Sequence, residues 1–204
     1  MGRPTGSRNP GFDTKRVALA SALVPRVLTR PAPSFRELAE SAGVSGPTLR
    51  HYFRDRDGAV AAAMEAMRAA GQPYIDHAAV APEGDLATSM VVFLRGLQAG
   101  WRAGVGTMIG AGLVEGVGSA ALGPAFVDSL LEPTLQSAEA RLAAHAARGQ
   151  LAACDLRHAA LTLVGPVLLA LLHQGELGGA RCRPLDLDAL IEAHVRRFVV
   201  AFGA

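Results

Sequence analysis

Thr48, Arg50, His51 and Tyr52 put a hydroxyl, a guanidinium, an imidazole and a phenol within five residues of one another. The chain holds no Ser/His/Asp or Cys/His arrangement, no paired carboxylates and no phosphate loop that would turn such groups to catalysis, so no enzyme is expected. What the set suits is hydrogen bonding to a polyanion whose edges carry acceptors. A guanidinium pairs with a backbone phosphate or bidentately with guanine O6 and N7, and both remain open for Arg50. Ser34, Ser45 and Thr48 bring hydroxyls to phosphate or base, Gly46 lets the backbone approach closely, and His51 and Tyr52 suit phosphates. Arg56 would add a cation at a helix N-terminus, where anions bind. The plain alternative for each is a solvated helix face.

Two short helices with a tight corner must position these groups, over residues 34–53. Phe35, Leu38, Ala39 and Ala42 recur at helical spacing and make one apolar stripe. Ser34 stands at the N-cap with Glu37 three residues on, the pattern of a capping box. Gly43 supplies the left-handed residue that ends a helix, and Val44 follows as its apolar plug. Ser45 caps the second helix and Pro47 sits in its first turn, where a missing N–H costs nothing. Leu49 and Phe53, four apart, face inward and leave the polar set outside. A short helix of this kind fits the major groove of duplex DNA.

Charge is distributed to match. Residues 1–56 hold ten Lys/Arg against four acids, and the rest of the chain ten against fourteen, within a net charge of +2. A basic head on a slightly acidic body is the footprint of a nucleic-acid binder. Half the residues are apolar, enough for a sizeable core. Two cysteines, Cys154 and Cys182, form no framework and no metal spacing, which suits a reducing compartment. His173 and Glu176 lie three apart but lack a third ligand, so no metal and no cofactor is expected. Residues 1–11 are polar and rich in Gly and Pro, unlike a secretory signal. The run from Ala159 to Leu172 is shorter than the roughly 20 residues needed to span a bilayer. The expectation is a cytoplasmic protein with no membrane partner.

Along the chain, residues 1–12 read as a flexible basic arm in which Arg3 and Arg8 could reach a minor groove. A helix is expected from an Asp13 cap, with Val17, Ala20, Leu23, Val24, Val27 and Leu28 inward and Pro25 kinking or shortening it. Asp55 should cap a fourth helix carrying Val60, Ala63, Met64 and Met67, with Tyr74 extending the stripe. Leu86 to Arg102 forms another amphipathic pattern. The stretch 104–123 contains glycines at dinucleotide-loop-like spacing, but no strand precedes it, so a weak helix or helix pair is expected. Its glycines would permit bending or close approach of a neighbour. Pro124 opens a helix through Leu131, and the next reaches Arg148, lined by Leu135, Leu142 and Ala146 and closed by Gly149. Asp155 caps a helix through His173 that is apolar almost all round, and Asp186 caps the last one. A helix hydrophobic on every side needs cover on every side. The helices at 155–174 and 186–202 are therefore expected to pair with a second copy about a two-fold axis. No strand, repeat or low-complexity segment interrupts this pattern, so the class is all-α.

The run L-A-E-S-A-G-V-S-G-P-T-L-R-H-Y-F-R-D-R-D, residues 38–57, resembles the DNA-binding domain of tetracycline-repressor (TetR-type) transcriptional regulators. The resemblance rests on Ala39, the corner Ala42 to Ser45, Thr48-Leu49 and the pair Tyr52-Phe53 ahead of a capped helix. It covers about residues 13–65; beyond that only length and helix count agree. It implies a three-helix head over 13–57 and a larger helical ligand-binding and dimerisation domain over 58–204. It further implies a homodimer, a double-stranded and palindromic operator, and repression relieved by a small-molecule effector. Arg50 stands where that family usually has Tyr, and Arg56 where Lys is usual, which preserves the charge.

Candidate walls for a largely apolar effector are Met64, Met67, Met90, Phe93, Trp101, Met108 and Phe126, with Glu115 and His145 as polar handles. Ordinary core is the alternative for each. Other readings are an activator, a regulator without ligand control, or a helical carrier or enzyme.

Overall fold

The computed structural model describes residues 10–29 and 32–204. Arg3 and Arg8, with most of the expected arm, lie outside the described residues, as do Arg30 and Pro31 of the connector. Among the described residues the chain is helical with no strand, save one isolated antiparallel bridge between Leu151 and Gly203. The helices are α1 (Pro10–Val27), α2 (Phe35–Ser41), α3 (Gly46–Phe53), α4 (Arg56–Ala79), α5 (Leu86–Gly100) and α6 (Gly106–Gly116). They continue as α7 (Leu122–Phe126), α8 (Glu132–Ala147), α9 (Leu156–Gln174), α10 (Gly179–Cys182) and α11 (Leu187–Phe202). A kinked segment, Trp101–Val105, with Gly104 at φ +121°, follows α5, and a wide π-type turn, Val127–Leu131, follows α7.

The chain divides into two compact units. One holds the chain up to Ala70 together with Ala111–Ser129; the other holds Gly71–Gly110 and Leu130–Ala204. The first unit therefore extends past residue 57, taking in much of α4 and the segment around α7. Its buried side chains include Leu19 and Leu23 of α1, Leu38 of α2, Leu49 and Phe53 of α3, and Val60, Met64 and Met67 of α4. Glycine allows two close approaches here. A Cβ on Gly58 would run into the carbonyl oxygen of Phe53, so only glycine lets α4 start so near the end of α3. At Gly116 a Cβ would lie 3.3 Å from Phe126 Cβ and 3.4 Å from Gly123 Cα, so the end of α6 lies close against α7.

In the second unit α9 packs on α8, α11 and α5, and α11 also packs on α5. Met90, Phe93 and Leu94 of α5, Leu142 of α8, Leu163 and Val167 of α9, and Ile191, Val195 and Phe198 of α11 are buried. By length and composition α9 could cross a membrane, but these contacts make it a core helix of the unit. Arg141 is buried yet pairs with no carboxylate among the described residues: Nε donates to Ala78 O (2.8 Å) and Nη1 to Ser89 O (3.2 Å) and Oγ (3.3 Å). Its guanidinium also lies over the Phe93 ring, 5.4 Å from the centroid. Burial pushes its pKa down.

Several expectations need correction. Helix α1 starts at Pro10, so residues 10–12 of the expected arm are helical and Asp13 lies in the first turn rather than at the cap. Proline suits that opening position, and Phe12 stacks on Tyr52 with ring centroids 4.8 Å apart, which favours the longer helix. The helix ends at Val27, two residues past Pro25 and one short of Leu28, a shortening in keeping with the proline. Tyr74 is 81% exposed and leaves the inward stripe of α4. Helical backbone continues past Gly100 through Trp101 and Arg102, as the pattern predicts, and breaks at Gly104. Helix α7 starts two residues before Pro124 and gives way to the π-type turn Val127–Leu131. Ala146 faces outward; the buried row of α8 runs through Ala138, Arg141, Leu142 and His145 instead.

Candidate nucleic-acid interface

The corner between α2 and α3 is built by local hydrogen bonds. Ser34 Oγ accepts from Glu37 N (3.3 Å) while Glu37 Oε2 accepts from Ser34 N (2.7 Å), the reciprocal capping box. Ser34 Oγ also lies 2.7 Å from Glu37 Oε2, and Arg26 Nη2 donates to Glu37 Oε1 at 2.7 Å, which ties α1 to α2. These bonds, with the backbone N–H of Ser34 first and Arg26 next, lower the Glu37 pKa to about 2. Gly43 takes φ +65°, and Val44 N returns to Ala39 O at 3.1 Å. Ser45 Oγ then accepts from Thr48 N at 3.2 Å and lies 2.8 Å from Thr48 Oγ1.

On α3, Leu49 is fully buried and Phe53 nearly so. Arg50 and His51 are exposed, Thr48 and Tyr52 half-buried. Arg50 has only a marginal bond to Arg54 O, at 3.5 Å, and its guanidinium lies 5.2 Å from the Phe35 ring centroid. Its charge thus faces solvent. Tyr52 and His51 form an aromatic group with Phe12: Phe12 stacks on Tyr52, and the His51 ring meets Phe12 edge-on at 5.5 Å. That group holds α1 to α3 and fixes the tilt of the polar face. Pro47 opens α3 as expected. Arg54 caps the helix with φ +69°, the one non-glycine residue in that region among the described residues.

Arg56 is engaged within the first unit. Its Nε donates to Pro33 O at 2.6 Å, and its Nη2 donates to Glu115 Oε1 at 2.6 Å. The Glu115 hydrogen bond raises the Arg56 pKa. Asp55 caps α4 by accepting from Gly58 N at 2.8 Å.

The effector candidates are divided between the units. Met64, Met67, Glu115 and Phe126 belong to the first, all buried. Met90, Phe93, Trp101 and His145, buried, and Met108, half-buried, belong to the second. His145 Nδ1 meets Gln150 Oε1 at 2.6 Å, while its buried Nε2 has no partner among the described residues. Because Gln150 Nε2 donates to Gly84 O, the amide oxygen faces the ring and His145 Nδ1 is the donor. Two buried groups of this unit, Arg141 and Gln98, escaped the sequence reading. Gln98 at least was visible: it stands three residues before Trp101 and four after Leu94, inside the apolar stripe.

Solved structures share this architecture. A TetR-family transcriptional regulator from Mesorhizobium loti superposes with a TM-score of 0.72 at 18% identity, covering 98% of this chain and all of that one. The fold is that of TetR-family regulators. The flavonoid-responsive regulator FrrA superposes with a TM-score of 0.69 at 22% identity, with coverage of 94% and 98%. FadR from Bacillus subtilis, solved in complex with stearoyl-CoA, gives 0.65 at 13% identity over 91% and 97%. No protein-family model and no curated protein matches the sequence.

Proposed function

We propose that the chain is a DNA-binding transcriptional regulator of the TetR type that acts as a homodimer on a palindromic operator. The observation that carries this is the outward face of α3. Thr48, Arg50, His51 and Tyr52 stand on a capped helix whose back is buried through Leu49 and Phe53, with Arg50 left without an ion pair among the described residues. Its natural counterpart is a groove edge flanked by phosphates. Ser45 and Thr48, already bonded to each other, keep acceptor capacity and can donate one hydroxyl to phosphate.

Ser34 and Arg56 serve this reading as positioning residues, since their polar atoms are occupied by Glu37 and by Pro33 and Glu115. The dimer face is proposed on α9 and α11, where Leu161, Leu169 and Val200 are exposed at 47%, 65% and 88%. A palindromic operator follows from a two-fold protein. The mode of action proposed is repression, released by a small and largely apolar effector, in the cytoplasm. The related folds of a flavonoid-responsive regulator and of one holding stearoyl-CoA are in keeping with such an effector.

The experiment is a footprint of the purified protein on duplex DNA from upstream of its own coding region. The expected result is a protected, inverted-repeat segment. Uniform cleavage across all such fragments would remove the proposal.

A further inference from the structure

Among the described residues, two buried N–H donors without acceptors stand three positions apart, Gln98 Nε2 on α5 and Trp101 Nε1 at its C-cap. Both residues belong to the second unit and are 4% and 9% exposed. Nearly all buried polar groups in folded proteins have a partner, so two orphans on one helix face are an unusual pairing. Both are donors, and an indole N–H can do nothing else.

The backbone around them keeps side chains away from the indole. A Cβ on Gly106 would run into Trp101 Nε1, and one on Gly175 would lie 2.7 Å from it. Only glycine fits at either position, so the N–H edge is flanked by backbone. Trp101 also stands just before the kink at Gly104, which takes φ +121°. Further along α5 the same side is apolar, through Leu94, Phe93 and Met90.

We propose that Gln98 and Trp101 form a paired-donor site for one hydrogen-bond acceptor, a carbonyl or carboxylate oxygen, carried by an otherwise apolar effector. This deepens the regulator reading above and rests on its effector-binding part. The apolar stem lies along Met90, Phe93 and Leu94, and the oxygen satisfies both orphan donors at once. An acceptor-free hydrocarbon fills the same space and leaves both donors unpaired, which is the basis of discrimination.

Trp101 is the chain's single tryptophan, so its indole N–H gives one resolved signal in a 1H–15N correlation spectrum. The full-length protein is titrated with octanoate, 2-octanone and octane, and duplex binding is measured on the same samples. The site predicts a saturable downfield shift of the indole N–H with the acid or the ketone, and binding about tenfold tighter than for octane. Gln98→Leu and the volume-matched Gln98→Met should abolish that preference while leaving duplex binding without probe unchanged. An indole signal that responds equally to all three probes, or to none, overturns the site, as does a preference that survives both variants. Probe failure with intact duplex binding overturns this inference alone; absent duplex binding overturns the regulator reading and leaves the indole result standing.

Discussion

Arg56 Nη2 donates to Glu115 Oε1 at 2.6 Å, joining the first turn of α4 to the C-terminal part of α6 across 59 residues of sequence. The Glu115 side chain is 6% exposed and that of Arg56 30%, so the carboxylate depends on this partner. Removing one member of a largely buried pair leaves an uncompensated charge, whereas removing both is far milder. Arg56→Met should therefore lower unfolding stability by about 2–3 kcal/mol. The double variant Arg56→Met/Glu115→Met should recover most of that loss in urea titrations. Additive losses would show that the bridge contributes little.

Arg50 is exposed, with one marginal bond, so its removal should spare the fold. Arg50→Ala is expected to weaken duplex binding by about 1–3 kcal/mol while the circular dichroism spectrum stays unchanged. Equal loss on every sequence would place Arg50 on phosphate; loss confined to the operator would place it on a base.

Glu37 links pH to stability. Its folded pKa, lowered to about 2, lies below the ordinary value of 4.5, so the unfolded chain binds the proton more readily. Its contribution is therefore complete above about pH 4.5 and is lost as pH falls through 4.5 toward 2. Glu37→Gln should reduce stability at neutral pH, and the gap from the parent should close over that acid window. A gap that stays constant from pH 6 to pH 2.5 would count against the capping box as its source.

Two glycines of α4 should respond oppositely to alanine. At Gly58 the added methyl meets the Phe53 carbonyl oxygen, and a loss of about 1–3 kcal/mol is expected. At Gly71 nothing lies within 4 Å of the added atom, so alanine should stabilise by up to about 1 kcal/mol. Thermal melts of the two variants compare them directly.

The proposed dimer face predicts that Leu169→Arg and Val200→Asp shift the protein to monomer in sedimentation velocity. Far-ultraviolet spectra should keep their helical shape, since both side chains are exposed. An unchanged oligomeric state in both variants would move the interface elsewhere.

The parts of this molecule that could be read from sequence are those whose partners lie within a few residues. The Ser34–Glu37 capping box, the Ser45 and Asp55 caps and the Gly43 corner are all closed inside four positions. The inward turn of Leu49 and Phe53 follows from helical period alone. What escaped was tertiary. Glu115 was legible as an odd carboxylate in a greasy stretch, yet nothing nearby named Arg56 as its partner. Tyr74 kept the helical spacing but lost its cover, because burial depends on what packs opposite. The kink after Trp101 was hidden for another reason: a glycine marks where the chain can take a positive φ, not where it does, and Gly104 is one of many in that stretch.

The central claim is that α3 reads duplex DNA, and its most direct test is fluorescence anisotropy of a labelled upstream duplex at several salt concentrations. The account predicts saturable binding whose logarithmic affinity falls linearly with the logarithm of salt, as phosphate-bound counterions are released. Arg50→Ala should flatten that slope if its partner is a phosphate. An anisotropy that does not rise for any upstream duplex at about 50 mM salt, where such contacts are strongest, would contradict it.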